Sequence, residues 1–223
     1  MRLVTWAMVA CALAGSGCKR DRPLPKEISE APPEMREPVR KALETGKLEV
    51  SPRIRQAAED TPVEEDGIML EGPVSTFVSS TTPTLRWRRD ERLKLYQARV
   101  WEAGGKPAAE SPWLEAGEWK CEPPLTPGVK YQWQVAGKGR RSEMLSAKAS
   151  FTVPEPDALE RMAKARERLA GNDMALAVLY AREGAVDEAQ RLLAGYIVRN
   201  PTSEEAKKLY KSLRAQRVEL TKK

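Results

Sequence analysis

The chemically most suggestive residues of this sequence are its flat aromatic side chains. Beyond Trp6, every tryptophan falls in one stretch: Trp87, Trp101, Trp113, Trp119 and Trp133. An indole offers a broad apolar face at low ordering cost, so exposed members of the set would stack on sugar rings. Trp101, Trp113 and Trp119 are the candidates for a surface or an interdomain contact. Packing within the protein is the plainer expectation for them, and Trp87 and Trp133 are expected in a core. Reactive groups are scarce. The 223 residues include no histidine, which excludes a Ser/His/Asp triad, a Cys/His dyad and imidazole metal ligands. A carboxylate pair can hydrolyse a glycoside without histidine, but here the acids are spread along the chain. The cluster Glu64-Glu65-Asp66 lacks the alternating ligand spacing of a calcium loop, and no glycine-rich phosphate loop is present. The sequence therefore predicts no catalytic residue, no metal and no cofactor. The chain reads as a non-enzyme.

The elements that would position these residues begin with an address. Residues 1–17 pair a basic start at Arg2 with the uncharged, mostly apolar run Leu3 to Leu13. The small residues Ala14-Gly15-Ser16-Gly17 then lead to Cys18. This is the layout of a secretory signal, too short to span a bilayer as a permanent helix. It resembles the signal of bacterial lipoproteins, and that resemblance implies lipidation of Cys18 and a membrane anchor there. One departure is Gly15, where that family usually has Leu; Leu13 lies further back. Two alternatives stay open. An ordinary signal peptidase cutting at Ala12-Leu13-Ala14 would leave a soluble secreted protein, and Cys11 after Met8-Val9-Ala10 offers a second, shorter-run lipidation site. Lys19 does not resemble an inner-membrane retention signal, so the resemblance implies the outer membrane of a bacterial envelope, facing the periplasm. With Cys18 acylated, Cys121 stands alone among the three cysteines. It is expected as a small buried hydrophobe, with an intermolecular bridge as the alternative.

Residues 18–34 read as a tether, because Pro23, Pro25, Pro32 and Pro33 lie among charges with almost nothing to bury. Lys19, Arg20, Arg22 and Lys26 would be solvated there or would attract anionic lipid. Residues 35–66 read as short helices and a connection. Met35, Val39, Ala42 and Leu43 recur at helical spacing up to Gly46, and a second helix is expected from Ser51, with Pro52 in its first turn.

Between 67 and 155 the pattern changes to short alternating runs between turn residues. Expected strands are 68–70, 74–78, 84–88, 93–102, either 113–114 or 118–121, 130–136 and 147–153. Leu85 and Trp87 share one face; so do Tyr96, Ala98 and Val100, and Tyr131, Trp133 and Val135. The run Leu125-Thr126-Pro127-Gly128 into Tyr131-Gln132-Trp133-Gln134-Val135 resembles the sixth strand of a fibronectin type III or related immunoglobulin-like domain. In that family the tyrosine ties a corner. Pro83 to Trp87 is similar to its second strand and Ser146 to Val153 to its last. The resemblance implies an antiparallel sandwich and no activity. Arg86, Arg88, Arg89 and Arg92 cluster on one strand and turn. They read as charge protecting a sheet edge rather than a nucleic-acid patch, since a secreted, tethered protein rarely meets nucleic acid.

Residues 156–223 turn helical. Asp157 is expected to cap a helix with Leu159, Met162, Ala163 and Leu169 on one stripe. The spacing Leu176-Ala177, Tyr180, Gly184, Ala189, Leu193 and Pro201 resembles a tetratricopeptide repeat, departing at Tyr196, a place usually held by Ala. A lone repeat cannot bury its apolar faces, so helices at 157–170 and from Ser203 must flank it. The basic run from Lys207 to Lys223 would complement the last helix's dipole or bind an acidic surface.

The expected fold is thus α+β and multidomain: an antiparallel immunoglobulin-like sandwich followed by a tetratricopeptide-like helical array. The expected function is a membrane-anchored, non-catalytic adaptor that holds an unidentified envelope protein, with Tyr180 and Tyr196 as candidate binding residues. The alternative is a carbohydrate or peptidoglycan binder using Trp101, Trp113 and Trp119.

Overall fold

A computed structural model describes residues 26–58 and 67–221. The signal at 1–17, Cys11, Cys18, the tether to residue 25 and the acids of 59–66 lie outside the described residues.

Two-residue periodicity builds the sheets. One sheet runs in the order β1 (Leu70–Gly72), β3 (Thr84–Trp87), β6 (Glu118–Lys120). The other runs β2 (Thr76–Phe77), β9 (Ala149–Thr152), β7 (Lys130–Lys138), β4 (Leu95–Glu102), β5 (Pro107–Glu110), and β8 (Glu143–Leu145) pairs with the far end of β7. Every pairing is antiparallel except β2 with β9. The alternating faces close on one core: Leu85, Trp87, Tyr96, Val100, Tyr131, Trp133 and Phe151 are all buried. Trp133 adds a buried bond from its indole N–H to Pro73 O at 2.7 Å. The Tyr131 hydroxyl accepts the Thr126 N–H at 2.9 Å, tying the corner before β7.

β5 and β8 were not expected from the sequence. Pro107-Ala108-Ala109-Glu110 and Glu143-Met144-Leu145 carry no apolar alternation and form because β4 and β7 offer free edges to pair with. β3 is also not an edge strand. It lies between β1 and β6, and its arginines form cross-strand pairs on both sides, Arg86 with Glu118 at 3.0 Å and Arg88 with Glu71 at 3.8 Å. Their charge is matched within the sheet rather than protecting an edge.

The helices are α1 (Lys26–Ser29), α2 (Pro33–Thr45), α3 (Ile54–Ala58), α4 (Pro156–Arg168), α5 (Asp173–Glu183), α6 (Val186–Arg199) and α7 (Glu204–Thr221). α5 is apolar almost all round, with Met174 to Val178, Tyr180 and Ala181 buried, because α1 and α2 pack on it along with α4 and α6. Four expectations are corrected by the helices. Residues 26–34 are not tether, since Ile28 and Ala31 are 3% and 2% exposed inside the helical core. α2 and α3, expected as short helices apart from the C-terminal helices, share that same core with them. Nor does Asp157 cap α4: the helix begins at Pro156, whose missing N–H costs nothing in the first turn, and Ala158 and Ala165 rather than Ala163 face inward. α3 likewise starts at Ile54, past Pro52. Asn172 is the cap of α5, accepting the Ala175 N–H at 3.1 Å, and its amide also donates to Glu27 O at 3.0 Å, which holds α1 in place.

The sheets and helices join at β2. The tight turn at Gly184, with φ +85, presses on Phe77, and a Cβ there would lie 2.8 Å from the ring. Gly184 O accepts both the Phe77 N–H and the Thr76 hydroxyl at 3.0 Å, while Thr76 Oγ1 accepts the Val186 N–H at 2.9 Å. The edge strand is thereby covered by the α5–α6 turn. Among the described residues no helix is long and apolar enough to cross a membrane.

Candidate functional site

Beyond β2 the chain crosses from one sheet to the other through residues 79–83, and this crossing is tied to the helices. Ser79 N–H donates to Glu188 Oε1 at 3.1 Å, and Arg166 Nη2 donates to Ser79 Oγ at 2.7 Å. Arg166 also donates through Nε to the Tyr180 hydroxyl at 3.0 Å. Close approach is possible because Gly72 has no side chain: a Cβ there would lie 3.0 Å from Asp187 Oδ2 and 3.3 Å from Arg191 Nη1. The seam therefore fixes Arg166 from α4 and the first turns of α6 against the sandwich.

A pocket of about 310 Å³ opens along this seam. Arg86 of β3 and Lys120 of β6 form its sheet wall, Arg166 and Arg191 its helical wall, and Ser80, Thr82 and Thr84 complete the lining. Glu188 is the single acid in the lining. Its Oε2 is buried with no hydrogen-bond partner. Burial pushes its carboxyl up, against the lowering pull of Arg191 and the Ser79 N–H. Arg86 is already paired with Glu118, but Lys120 and Arg191 have no ion pair within 4 Å among the described residues.

A second concavity of about 460 Å³ shares Arg166, Glu188 and Arg191 with the first. Its floor is apolar, made by Leu176, Tyr180 and Leu192 beside Gly195, and Arg199 flanks it paired to Asp173. Helical spacing explains the shared wall, because 188, 191, 192, 195 and 199 recur on one face of α6. Together the two concavities make a groove that is cationic at the sheet end and apolar at the helical end. A pocket of about 390 Å³ between α2, α4 and α5 differs in charge, its arginines being matched by acids, Arg161 with Glu183 at 3.0 Å and Arg168 with Glu34 at 3.5 Å.

The residues singled out by sequence are not brought together. Tyr180 lines the groove floor, buried, with its hydroxyl engaged by Arg166. Tyr196 is elsewhere: it is half-buried against α1 and donates to Glu27 Oε1 at 3.2 Å, and burial, reinforced by the Glu27 charge, raises its hydroxyl pKa. Trp113 is 44% exposed on the connection between β5 and β6. Trp101 is half-buried on the outer side of β4, with Lys148 Nζ 5.7 Å from its ring centroid. Trp119 pairs across from Leu85 and packs against the sandwich core in the other sheet. No pocket described above gathers two of the three. Cys18 lies outside the described residues. The basic run of α7 is partly spent internally, since Arg217 bonds Asp187 and Val74 O.

Sequence reasoning missed Lys120, Arg166, Glu188 and Arg191. The periodicity of 188, 191, 192, 195 and 199 was visible as one helix face, but nothing local says that Arg86 and Lys120 stand opposite it.

No family model matches the chain, and no curated protein matches it. Among solved structures, an Fn3-like protein from Clostridium thermocellum is similar over 43% of this chain and 97% of its own length, at 18% identity and a TM-score of 0.30.

Proposed function

We propose that the protein is a non-catalytic adaptor of the bacterial cell envelope, anchored through a lipid on Cys18 and holding a partner protein in the groove between its two folded parts. In this reading the sandwich is fibronectin type III-like and the helices are tetratricopeptide-like, on the strength of the motifs at 125–135 and 176–201. The anchor rests on the small-residue run before Cys18, and the outer membrane on Lys19 after it. The observation that carries the adaptor reading is the groove itself. It is built jointly by β3, β6, α4, α5 and α6, it is open, and Lys120 and Arg191 within it have no ion pair among the described residues. A wall of arginine and lysine beside an apolar floor holds a ligand by charge and burial without performing chemistry on it. The carbohydrate alternative draws less support, because its three tryptophans stand apart on two sheets and a connecting loop.

In-cell cross-linking of the tagged protein, followed by mass spectrometry, tests the reading. The expected result is one reproducible envelope protein, lost when Cys18→Ser removes the anchor. Recovery of the protein alone, or of wall fragments, overturns it.

A further inference from the structure

We infer that the groove takes an acidic segment of a partner polypeptide, with carboxylates on Lys120, Arg166 and Arg191 and a neighbouring apolar side chain on Leu176, Tyr180 and Leu192. The inference rests on the adaptor reading and names the partner's chemistry.

Charge argues for it first. Four cationic side chains line the 310 Å³ pocket against one acid, and of the four Arg86 alone is in an ion pair among the described residues. Cations gathered on the two walls of one pocket repel each other and lower the stability of the empty site, so their arrangement favours an anionic occupant. Glu188, the one acid of the lining, does not balance four cations, and burial raises its carboxyl pKa against the lowering pull of Arg191. Arg166 is held by Tyr180 and Ser79 through two of its N–H groups, which positions a guanidinium that has further donors to offer. Bidentate capture of a carboxylate suits such a preset arginine.

Shape argues for a chain rather than an ion. The polar pocket continues into an apolar concavity of about 460 Å³ through Arg166, Glu188 and Arg191, so a simple anion would leave most of the groove empty. An extended peptide spans both, with alternate side chains in the cationic and apolar ends. Ser80, Thr82 and Thr84 add polar side chains to the lining, with the Ser80 and Thr82 hydroxyls bonded to each other at 3.2 Å. The cavity around Tyr196 differs in charge: acids Glu27, Glu44 and Glu205 line its wall with Arg40.

Selection of a phage-displayed random dodecapeptide library on the purified protein tests the proposal. Expected are binders in which Asp or Glu adjoins an aliphatic or aromatic residue. Their affinity, read by fluorescence anisotropy, should fall about tenfold or more in Lys120→Glu/Arg191→Glu, and similarly between about 50 and about 500 mM salt. Both residues are exposed, and circular dichroism of the variant establishes that it is folded; Lys120→Gln, on a sheet surface, provides a milder second variant with a loss of a few-fold. An absence of binders overturns the proposal, as do binders without acidic residues or binders indifferent to the charge reversals. So does saturable binding of inorganic phosphate where no peptide binds, which would make the pocket a small-anion site. A partner that still cross-links in cells to the charge-reversed variant would sink this inference while leaving the adaptor reading intact.

Discussion

The Asp187 carboxylate accepts the backbone N–H of Val74 at 2.7 Å, joining the first turn of α6 to the chain just before β2. Asp187 is 3% exposed, and Arg217 of α7 closes the arrangement by bonding both Asp187 Oδ1 and Val74 O. This three-element staple ties the sandwich to the helices beside the groove. Removing the carboxylate leaves the Val74 N–H without its acceptor and takes from Arg217 its charged partner, while the bond from Arg217 to Val74 O remains.

Asp187→Ala should accordingly destabilise the protein by about 3 kcal/mol, discounted from a fully buried pair because Arg217 is partly solvated. Adding Arg217→Ala should cost clearly less than the sum of the two single changes. Urea unfolding of the four proteins measures both quantities. Strict additivity would mean that the two residues act independently.

The turn at Gly184 makes a sharper steric prediction. Its φ of +85 disfavours any side chain, and a Cβ would meet Phe77 at 2.8 Å. Gly184→Ala should therefore cost about 2–4 kcal/mol, from backbone strain plus overpacking at the seam. Trimming the opposing ring with Phe77→Leu in the same chain should recover the packing part and leave the strain. Thermal unfolding of the single and double variants separates the two, and an unchanged melting temperature in Gly184→Ala would show that the turn is not pressed against β2.

The parts of this fold that announced themselves did so through local periodicity. Leu85 with Trp87, and Tyr131 with Trp133 and Val135, are two apart, and the pleat sends them inward whatever the rest of the chain does. Ile28 and Ala31 gave no such signal. Each stands alone among charges and prolines, and each is buried only because Asn172 and Tyr196 bond Glu27 and draw α1 onto α5. The groove was illegible for a related reason. Arg86, Lys120, Arg166 and Arg191 come from β3, β6, α4 and α6, and the docking of the sheets on the helices, at the α5–α6 turn, at Ser79 and at Asp187, brings those elements to one seam. Charge clusters can be counted in a sequence; which of them are matched by acids depends on topology. Arg88 looked as free as Lys120, yet it lies beside Glu71 across a strand pair.

Glu188 should make stability fall with pH. Its carboxyl is raised in the folded state from an ordinary value of 4.5, chiefly by burial. Once pH exceeds that ordinary value, the unfolded chain releases this proton while the folded protein retains it, so the folded state binds more protons and each rise in pH favours unfolding. The loss starts near pH 4.5 and ends where the folded carboxyl finally ionises. Glu188→Gln keeps the shape and removes the titration. Its denaturation midpoint should exceed that of the parent at neutral pH, with the two converging below pH 4.5. A variant weaker than the parent at neutral pH would show that the ionised carboxylate is needed at the seam.

Cys121 offers a test of the sandwich core by reactivity. Its thiol is fully buried and burial, aided by Glu122, pushes its pKa up to about 12. Thiolate is the reactive species, so at pH 8 the folded protein should leave an aromatic disulfide reagent unreacted and form no disulfide-linked dimer. Reaction should appear only as denaturant opens the core, with a midpoint that coincides with loss of the circular dichroism signal. The same shift carries a sign for stability: the unfolded thiol ionises from about 9 while the folded one does not until about 12, so this residue lowers stability progressively across that alkaline interval. Cys121→Ala should remove that slope, although its smaller side chain leaves a cavity that costs about 1 kcal/mol at every pH. Rapid labelling of the native protein would place Cys121 at a surface and would remove the packing between β6 and the strands opposite it.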